Sequence, residues 1–355
     1  MIAIIVTLIA LGIVIFVHEF GHMIVAKSLG IGILEFSIGM GPKIFSKKIK
    51  ETTYSLRILP VGGFVSVAGL DTDKNLEIPD NINYYKKSYL ARLLTVAAGS
   101  VFNILLGLLI FFCIFTLIGV PQPINTIDKI LPKSPAAKVG LLPSDKIIRV
   151  NGIIIKDLQK DLISVIHASA NKPITLSVLR DSLTKTIILI PTKSTPSAKI
   201  GTIGVYFKNE VKRHSVISAA KYSVIQTYNT ITLVFKSLIM LFNREVSLKE
   251  LAGPIGIVQI ASFQLSKGLL YFFNIMAVIS ISLGVVNLFP FPVLDGGHIF
   301  LLLIEWIMRR PLNNKIATFI NNTGAVVLIT LMVLIVLNDL VNWGERVSLL
   351  KKLMN

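Results

Sequence analysis

From Ile2 to Val17 the chain carries no charged residue, and the next five positions read His18-Glu19-Phe20-Gly21-His22. A charge-free run of that length suits lipid. There each backbone N–H and C=O must be satisfied within the segment, so a helix is the expected conformation. This first run extends to about Ala26, and three others follow near Leu93–Val120, Leu269–Phe289 and Thr323–Val341. The whole chain is 53% hydrophobic and 15% charged, too apolar for an ordinary soluble domain. Four transmembrane helices are expected. The first run has no basic leader and no small-x-small cleavage site, so it reads as a retained helix, not a cleaved signal.

The net charge of +17 fits either nucleic acid or a membrane surface. The lysines are scattered through loops without interleaved aromatics, which favours the membrane and argues against a nucleic-acid partner. Lys27, Lys43, Lys47, Lys48, Lys86, Lys87 and Arg92 lie between the first two runs, and Arg309, Arg310 and Lys315 between the last two. Basic loops stay in the cytoplasm. The polar region between the second and third runs is then extracytoplasmic, as are both termini. Arg346, Lys351 and Lys352 in the tail argue mildly the other way. The lone Cys113 excludes an intramolecular disulfide.

His18 and His22 are four positions apart, so a helix sets both imidazoles on one face, where they can share a metal ion. Glu19 projects beside such an ion and can serve as a general base toward water. This is the H-E-x-x-H pattern of zinc hydrolases. Ionisable groups inside a span cost roughly 2.5–3.5 kcal/mol each, which makes function the default reading of this cluster.

Catalytic zinc usually takes three protein ligands. His167 and His214 fall in the polar region and read as surface residues. In "NLFPFPVLDGGHIF", Asn287 to Phe300, the third run breaks at Pro290 and Pro292 and a new apolar helix follows. Irregular backbone at membrane depth is tolerated where it lines a protein cavity. Asp295 is the favoured third ligand, although it also has the look of a helix N-cap. His298 is its rival.

"HEFGH" and "NLFPFPVLDGG" together resemble the site-2 protease family of intramembrane zinc metalloproteases, in particular its bacterial regulator-of-sigma-E protease branch. "FSIGMGPKIFSKKIKETTYSLRILPVGGFVSVAGL", "AAGSVFNILLG" and "VSLKELAGPIGI" extend the likeness over nearly the whole chain. The resemblance implies one Zn2+ held by His18, His22 and Asp295, with Glu19 as general base. It implies that Asn287 lines the substrate site and that Asn103 has a role in the same region. Two departures stand out. Ser100 replaces a proline common in the family, with little consequence expected, and a single sensor domain occurs where some members have two.

Residues 35–70 read as short strands with turns. A free strand edge here, between Arg57 and Ala68 and including Val65 and Val67, can take an unwound substrate segment as an added strand. "SPAAKVGLLPSDKI" resembles the signature of a PDZ domain in a permuted form. That resemblance implies binding of a peptide or free C-terminus, while a size filter is the equal alternative. Residues 215–242 are long enough to span but are interrupted by Lys221, Gln226 and Lys236, so an amphipathic surface helix is expected. "LAGPIGI" after it reads as a turn.

The expected organisation is a mainly α-helical polytopic protein with a membrane-associated β-hairpin and one extracytoplasmic α+β PDZ-like domain. Its segments are 1–28 (first span), 29–92 (β loop region), 93–120 (second span), 121–208 (PDZ-like), 209–266 (surface helix and connector), 267–310 (third span and following helix) and 311–355 (fourth span and tail). The expected function is cleavage of single-span membrane proteins, such as anti-sigma factor fragments or signal-peptide remnants, in the bacterial cytoplasmic membrane with the site toward the cytoplasm. An inactive membrane-tethered peptide-binding protein and a transporter are the rival readings.

Overall fold

The structure is a computed structural model describing residues 2–70, 78–193, 200–243, 245, 252–310, 312–344 and 348. In chain order, helix α1 (Ile2–Ser28) precedes strands β1 (Ile33–Ile49) and β2 (Thr52–Val67). Helix α2 (Tyr89–Cys113) follows and ends in a π-helical turn over Ile114–Ile118. Next come β3 (Val120–Ile130), α3 (Pro135–Lys138), β4 (Lys146–Val150), β5 (Ile153–Ile154), α4 (Ser164–Ala168) and β6 (Ile174–Arg180). Then follow β7 (Leu183–Leu189), β8 (Thr192–Lys193), β9 (Gly201–Thr202) and β10 (Val205–Lys212). Helices α5 (Val216–Phe242), α6 (Pro254–Lys267), α7 (Leu269–Asn287), α8 (Asp295–Met308) and α9 (Asn314–Val341) complete the order. The chain divides into two compact units, residues 1–118 with 215–355, and residues 119–214.

Among the described residues of the first unit, five helices are long and apolar enough to cross a membrane: Ile2–Ser28, Tyr89–Ile118, Val216–Leu241, Leu269–Asn287 and Lys315–Val341. The sequence reading counted four and set 215–242 apart. By length and composition that stretch, now α5, qualifies as well, although it is the least apolar of the five.

α1 and α2 pack closely because glycines remove the side chains between them. A Cβ on Gly21 would stand 2.8 Å from the Ala98 carbonyl oxygen, and one on Gly99 would stand 2.2 Å from His22 Nε2. Small residues at such crossings are how membrane helices approach each other. α7 lies against α2, where the Ser280 hydroxyl donates to the Asn103 carbonyl at 2.7 Å.

The expected turn at "LAGPIGI" is corrected for its described residues, 252–257; Leu251 lies outside them. Gly253 caps α6, and Pro254 takes the first helical position, where its missing N–H costs nothing. The N–H groups of Gly253 and Gly256 donate to the two carboxylate oxygens of Asp339 on α9, at 3.0 and 2.9 Å. Asp339 is fully buried. Hydrogen bonds to a charged group contribute about 1.5–3 kcal/mol each, so this contact ties α9 to the start of α6.

The sheet of the first unit is longer than the short strands expected. Its register folds β1 and β2 into four adjacent segments. Residues 43–49 pair with 52–57, residues 53–56 run alongside 35–38 in the same direction, and 33–38 pair antiparallel with 63–67. The stretch 63–66 is therefore an edge, with no further strand beyond it among the described residues. Glu35 binds the sheet together, accepting from Ser55 Oγ, from Arg57 Nη2 at 2.9 Å and from Lys43 Nζ at 3.0 Å. Burial pushes the Glu35 carboxyl up, but these three donors outweigh it and hold the carboxyl below its ordinary value. Phe36, Val67, Met23, Val96 and Leu302 share one core, which seats the sheet on α1, α2 and α8.

The second unit has strand order β10-β3-β4-β6-β7, with β5 pairing β4 and a separate β8–β9 pair. Ile174, Leu176 and Val178 alternate inward along β6 and join Ile127, Ile147, Leu162 and Leu189 in its core. This unit spans 119–214, wider than the 121–208 read from the sequence. The added residues are those by which β10 pairs with the start of β3.

Candidate metal centre

α1 presents His18 and His22 one turn apart toward α2. Asp295 enters from the irregular stretch after α7. Helix α7 ends at Asn287, and Val293 adopts a left-handed φ of 78°, an uncommon conformation for a β-branched residue that re-aims the chain. α8 then begins at Asp295. Gly296 and Gly297 let this loop close over the helix start, since a Cβ on either would lie 2.2 Å from the carbonyl oxygens of Phe289 and Phe291, respectively. Asp295 is the first helical residue, one place past the cap at Leu294, so the N-cap reading is corrected.

The donor atoms of His18, His22 and Asp295 all lie within 4.8 Å of one another. His18 Nε2 is 3.3 Å from His22 Nε2, 3.5 Å from Asp295 Oδ2, and His22 Nε2 is 3.6 Å from Asp295 Oδ1. Tetrahedral bonds of about 2.0–2.1 Å place neighbouring donors about 3.3–3.4 Å apart. The three separations fit a single zinc-sized ion. His298 lines the same cavity but stands outside this cluster.

The groups behind the ligands fit the same ion. His22 Nδ1–H donates to the Thr95 carbonyl at 2.8 Å, which leaves the Nε2 lone pair for a metal. Asn103 is fully buried behind His18, its amide 3.3 Å from His18 Nδ1. Its Oδ1 is buried without a partner, and half a turn of the amide brings that oxygen to a protonated Nδ1. Asn103 is not among the described residues that line the cavity; it stands behind His18.

Ser100, also fully buried, donates its hydroxyl to Asp295 Oδ2 at 3.0 Å. The sequence reading gave this residue little weight. The available signal was its position one turn before Asn103 on the same helix face.

The cavity in front of His18, His22 and Asp295 measures 270 Å³ and is bordered by Glu19, Asn287, Val65 and Val67. Glu19 is half-buried and lies against Gly63, whose Cβ position is 3.5 Å from Glu19 Cγ. Asn287 Nδ2 is 3.3 Å from His18 Nε2. Two ligand histidines, an adjacent carboxylate and a polar recess edged by a strand can bind a metal, activate water and seat an extended chain.

Residues 6–331 match the profile of peptidase family M50. A chain assigned as a zinc metalloprotease in Clostridium acetobutylicum is 32% identical over 338 residues, covering 95% of this chain and 97% of the relative. The regulator of sigma-W protease RasP of Bacillus subtilis is 28% identical over 412 residues, covering 94% of this chain and 97% of RasP. Among solved structures, the PDZ domain of an SdrC-like protein from Listeria monocytogenes overlaps 25% of this chain and 90% of that domain at 20% identity. Its TM-score of 0.22 is too low to assign a fold. With the profile covering His18, Glu19, His22 and Asp295, the chain belongs to peptidase family M50.

Proposed function

We propose that this peptidase is a zinc endopeptidase that cuts single-span membrane proteins within or beside their spans. The observation that carries the reading is the set of three donor atoms at zinc-tetrahedral spacing, next to Glu19 and among apolar helices. Relatives named as zinc metalloproteases supply the metal's identity. Zinc, when bound, polarises the scissile carbonyl and lowers the pKa of water. Glu19 takes the proton from the attacking water and delivers it to the amine nitrogen of the departing peptide. Asn287 holds the substrate backbone beside His18, and Asn103 and Ser100 keep the ligands aimed.

A peptide bond inside a helix is shielded, because its carbonyl is hydrogen-bonded and its turn is crowded. The edge at residues 63–66 receives the unwound segment as an added strand and satisfies its backbone groups away from water. Val65 and Val67, bordering the cavity, bring that strand to the ligands.

The topology proposed is four spans, with α5 lying along the membrane surface. An odd extra crossing would put the two basic loops on opposite faces. The cytoplasmic side then holds those loops and the metal centre, in a bacterial cytoplasmic membrane, with unit 119–214 outside. That unit is proposed to be PDZ-like from "SPAAKVGLLPSDKI", and by binding peptide ends or by excluding bulk it filters what reaches the cavity. Anti-sigma factor fragments and signal-peptide remnants are the substrate classes, which makes this a protease of regulated intramembrane proteolysis.

The test uses detergent-purified protein, a zinc count and a labelled single-span substrate. Glu19→Gln keeps its zinc and loses cleavage by roughly 10²–10⁴-fold. Unchanged cleavage in the variant removes Glu19 from the mechanism.

A further inference from the structure

A second cavity, of 940 Å³, lies apart from the metal centre, where α8 turns into α9 beside the start of α2. Among the described residues four cations line it, Lys86, Arg92, Arg309 and Arg310, against one carboxylate, Glu305, leaving a surplus of three positive charges. Glu305 is already engaged. It pairs with Arg92 Nη1 at 3.0 Å and accepts the Leu312 N–H at 3.1 Å. Arg92 Nε is buried without a partner. Arg309 and Arg310 are exposed and make no ion pair among the described residues. Lys86 has only a distant contact with exposed Asp80, at 3.6 Å.

The depth of this cavity follows from its walls. Two candidate spans begin at it, Tyr89–Ile118 and Lys315–Val341, so it sits at headgroup level. The Tyr89 and Trp306 rings pair across it at 6.0 Å. Such aromatic side chains belong to the membrane–water boundary. Apolar side chains that line it are open to the outside, with Trp306 at 62% and Ile307 at 67% exposure. A free phosphate would satisfy the arginines and leave that apolar flank uncovered. A lipid covers both.

We propose that this cavity binds the headgroup of an anionic phospholipid, a phosphodiester with no cationic group of its own, with its acyl chains along Trp306 and Ile307. Basic pockets between membrane helices recognise such headgroups. The site lies at one end of the helix whose other end carries Asp295. A bound lipid fastens the C-terminal end of α8 to α2 and α9, steadying the helix that supplies the third ligand.

The chain has two tryptophans, Trp306 and Trp343. In full-length protein carrying Trp343→Phe, Trp306 reports the cavity alone. The delipidated protein in detergent is titrated with brominated phosphatidylglycerol or brominated phosphatidylcholine, and Trp306 quenching is followed. Phosphatidylglycerol is expected to quench at a concentration several-fold lower, about fivefold for each unpaired arginine it engages. Arg309→Gln with Arg310→Gln abolishes the preference, and Arg309→Lys with Arg310→Lys retains most of it. Equal quenching by both lipids overturns the proposal. So does displacement of brominated phosphatidylglycerol by millimolar inorganic phosphate, which would mark a phosphate site and not a lipid site. If the Gln pair fails to fold, the wild-type comparison of the two lipids decides alone.

Discussion

At the scale of single residues, the proposed centre rests on side chains behind His18, His22 and Asp295 as well as on those three. Ser100 is the clearest case, since its hydroxyl fixes Oδ2 of Asp295, the oxygen facing His18. Ser100→Ala leaves that carboxylate free to rotate. Zinc affinity, measured against a buffered chelator series, is expected to fall roughly 10–100-fold, with Ser100→Thr recovering most of it. Unaltered affinity in the alanine variant would show that Asp295 is aimed by its backbone alone. His18 and His22 were legible in the sequence because one helical turn joins them. Asp295 was legible because prolines and glycines around it had no purpose in an uninterrupted helix. Ser100 was not, because its partner lies 195 positions away and a serine among small residues of a membrane helix has many uses.

At the scale of elements, local pattern identified the apolar helices but missed how they are joined. Gly253 and Pro254 read as a turn, yet proline at the first helical position also starts a helix, and only the carboxylate of distant Asp339 decides between the two. The sheet was legible as strands but not as four side-by-side segments, because its register pairs Phe36 with both Tyr54 and Val65, which no short window contains. That register makes a prediction at the edge. Val65→Pro removes a backbone donor and bends the segment bordering the cavity, so turnover is expected to drop at least several-fold while zinc content stays near one per chain. Parallel loss of zinc and turnover would mean that the sheet had collapsed onto α1. Helix α5 shows the limit of composition, since its polar interruptions and its length point to different places in the membrane.

At the scale of the whole molecule, two units with different cores respond to different stresses. In the unit 119–214, Asp145 is almost wholly buried and bonded by Arg180, with Nη2 2.6 Å from Oδ2. Burial pushes the Asp145 carboxyl up, but the Arg180 bonds and the Leu142 N–H outweigh it and hold it below its ordinary value. A carboxyl depressed on folding contributes stability above its unfolded pKa, about 3.9, and that contribution fades as pH falls through the lower folded value. Amide exchange in β3, β4 and β6, corrected for its intrinsic rate, is expected to quicken on acidification below about pH 4. Arg180→Gln reverses the sign. The carboxyl, buried and without its cation, then rises in pKa, and the unit is weakest at neutral pH while zinc in the other unit is undisturbed. Exchange that responds identically in both proteins would disprove the role of this pair.

The edge at residues 63–66 has a broader consequence. Backbone-to-backbone pairing takes little account of which side chains arrive. An enzyme that recruits its target this way sorts candidates by how easily a few membrane-embedded residues give up their helical bonds. Glycine, proline or polar residues midway along a target's span would then govern cleavage more than any consensus around the cut.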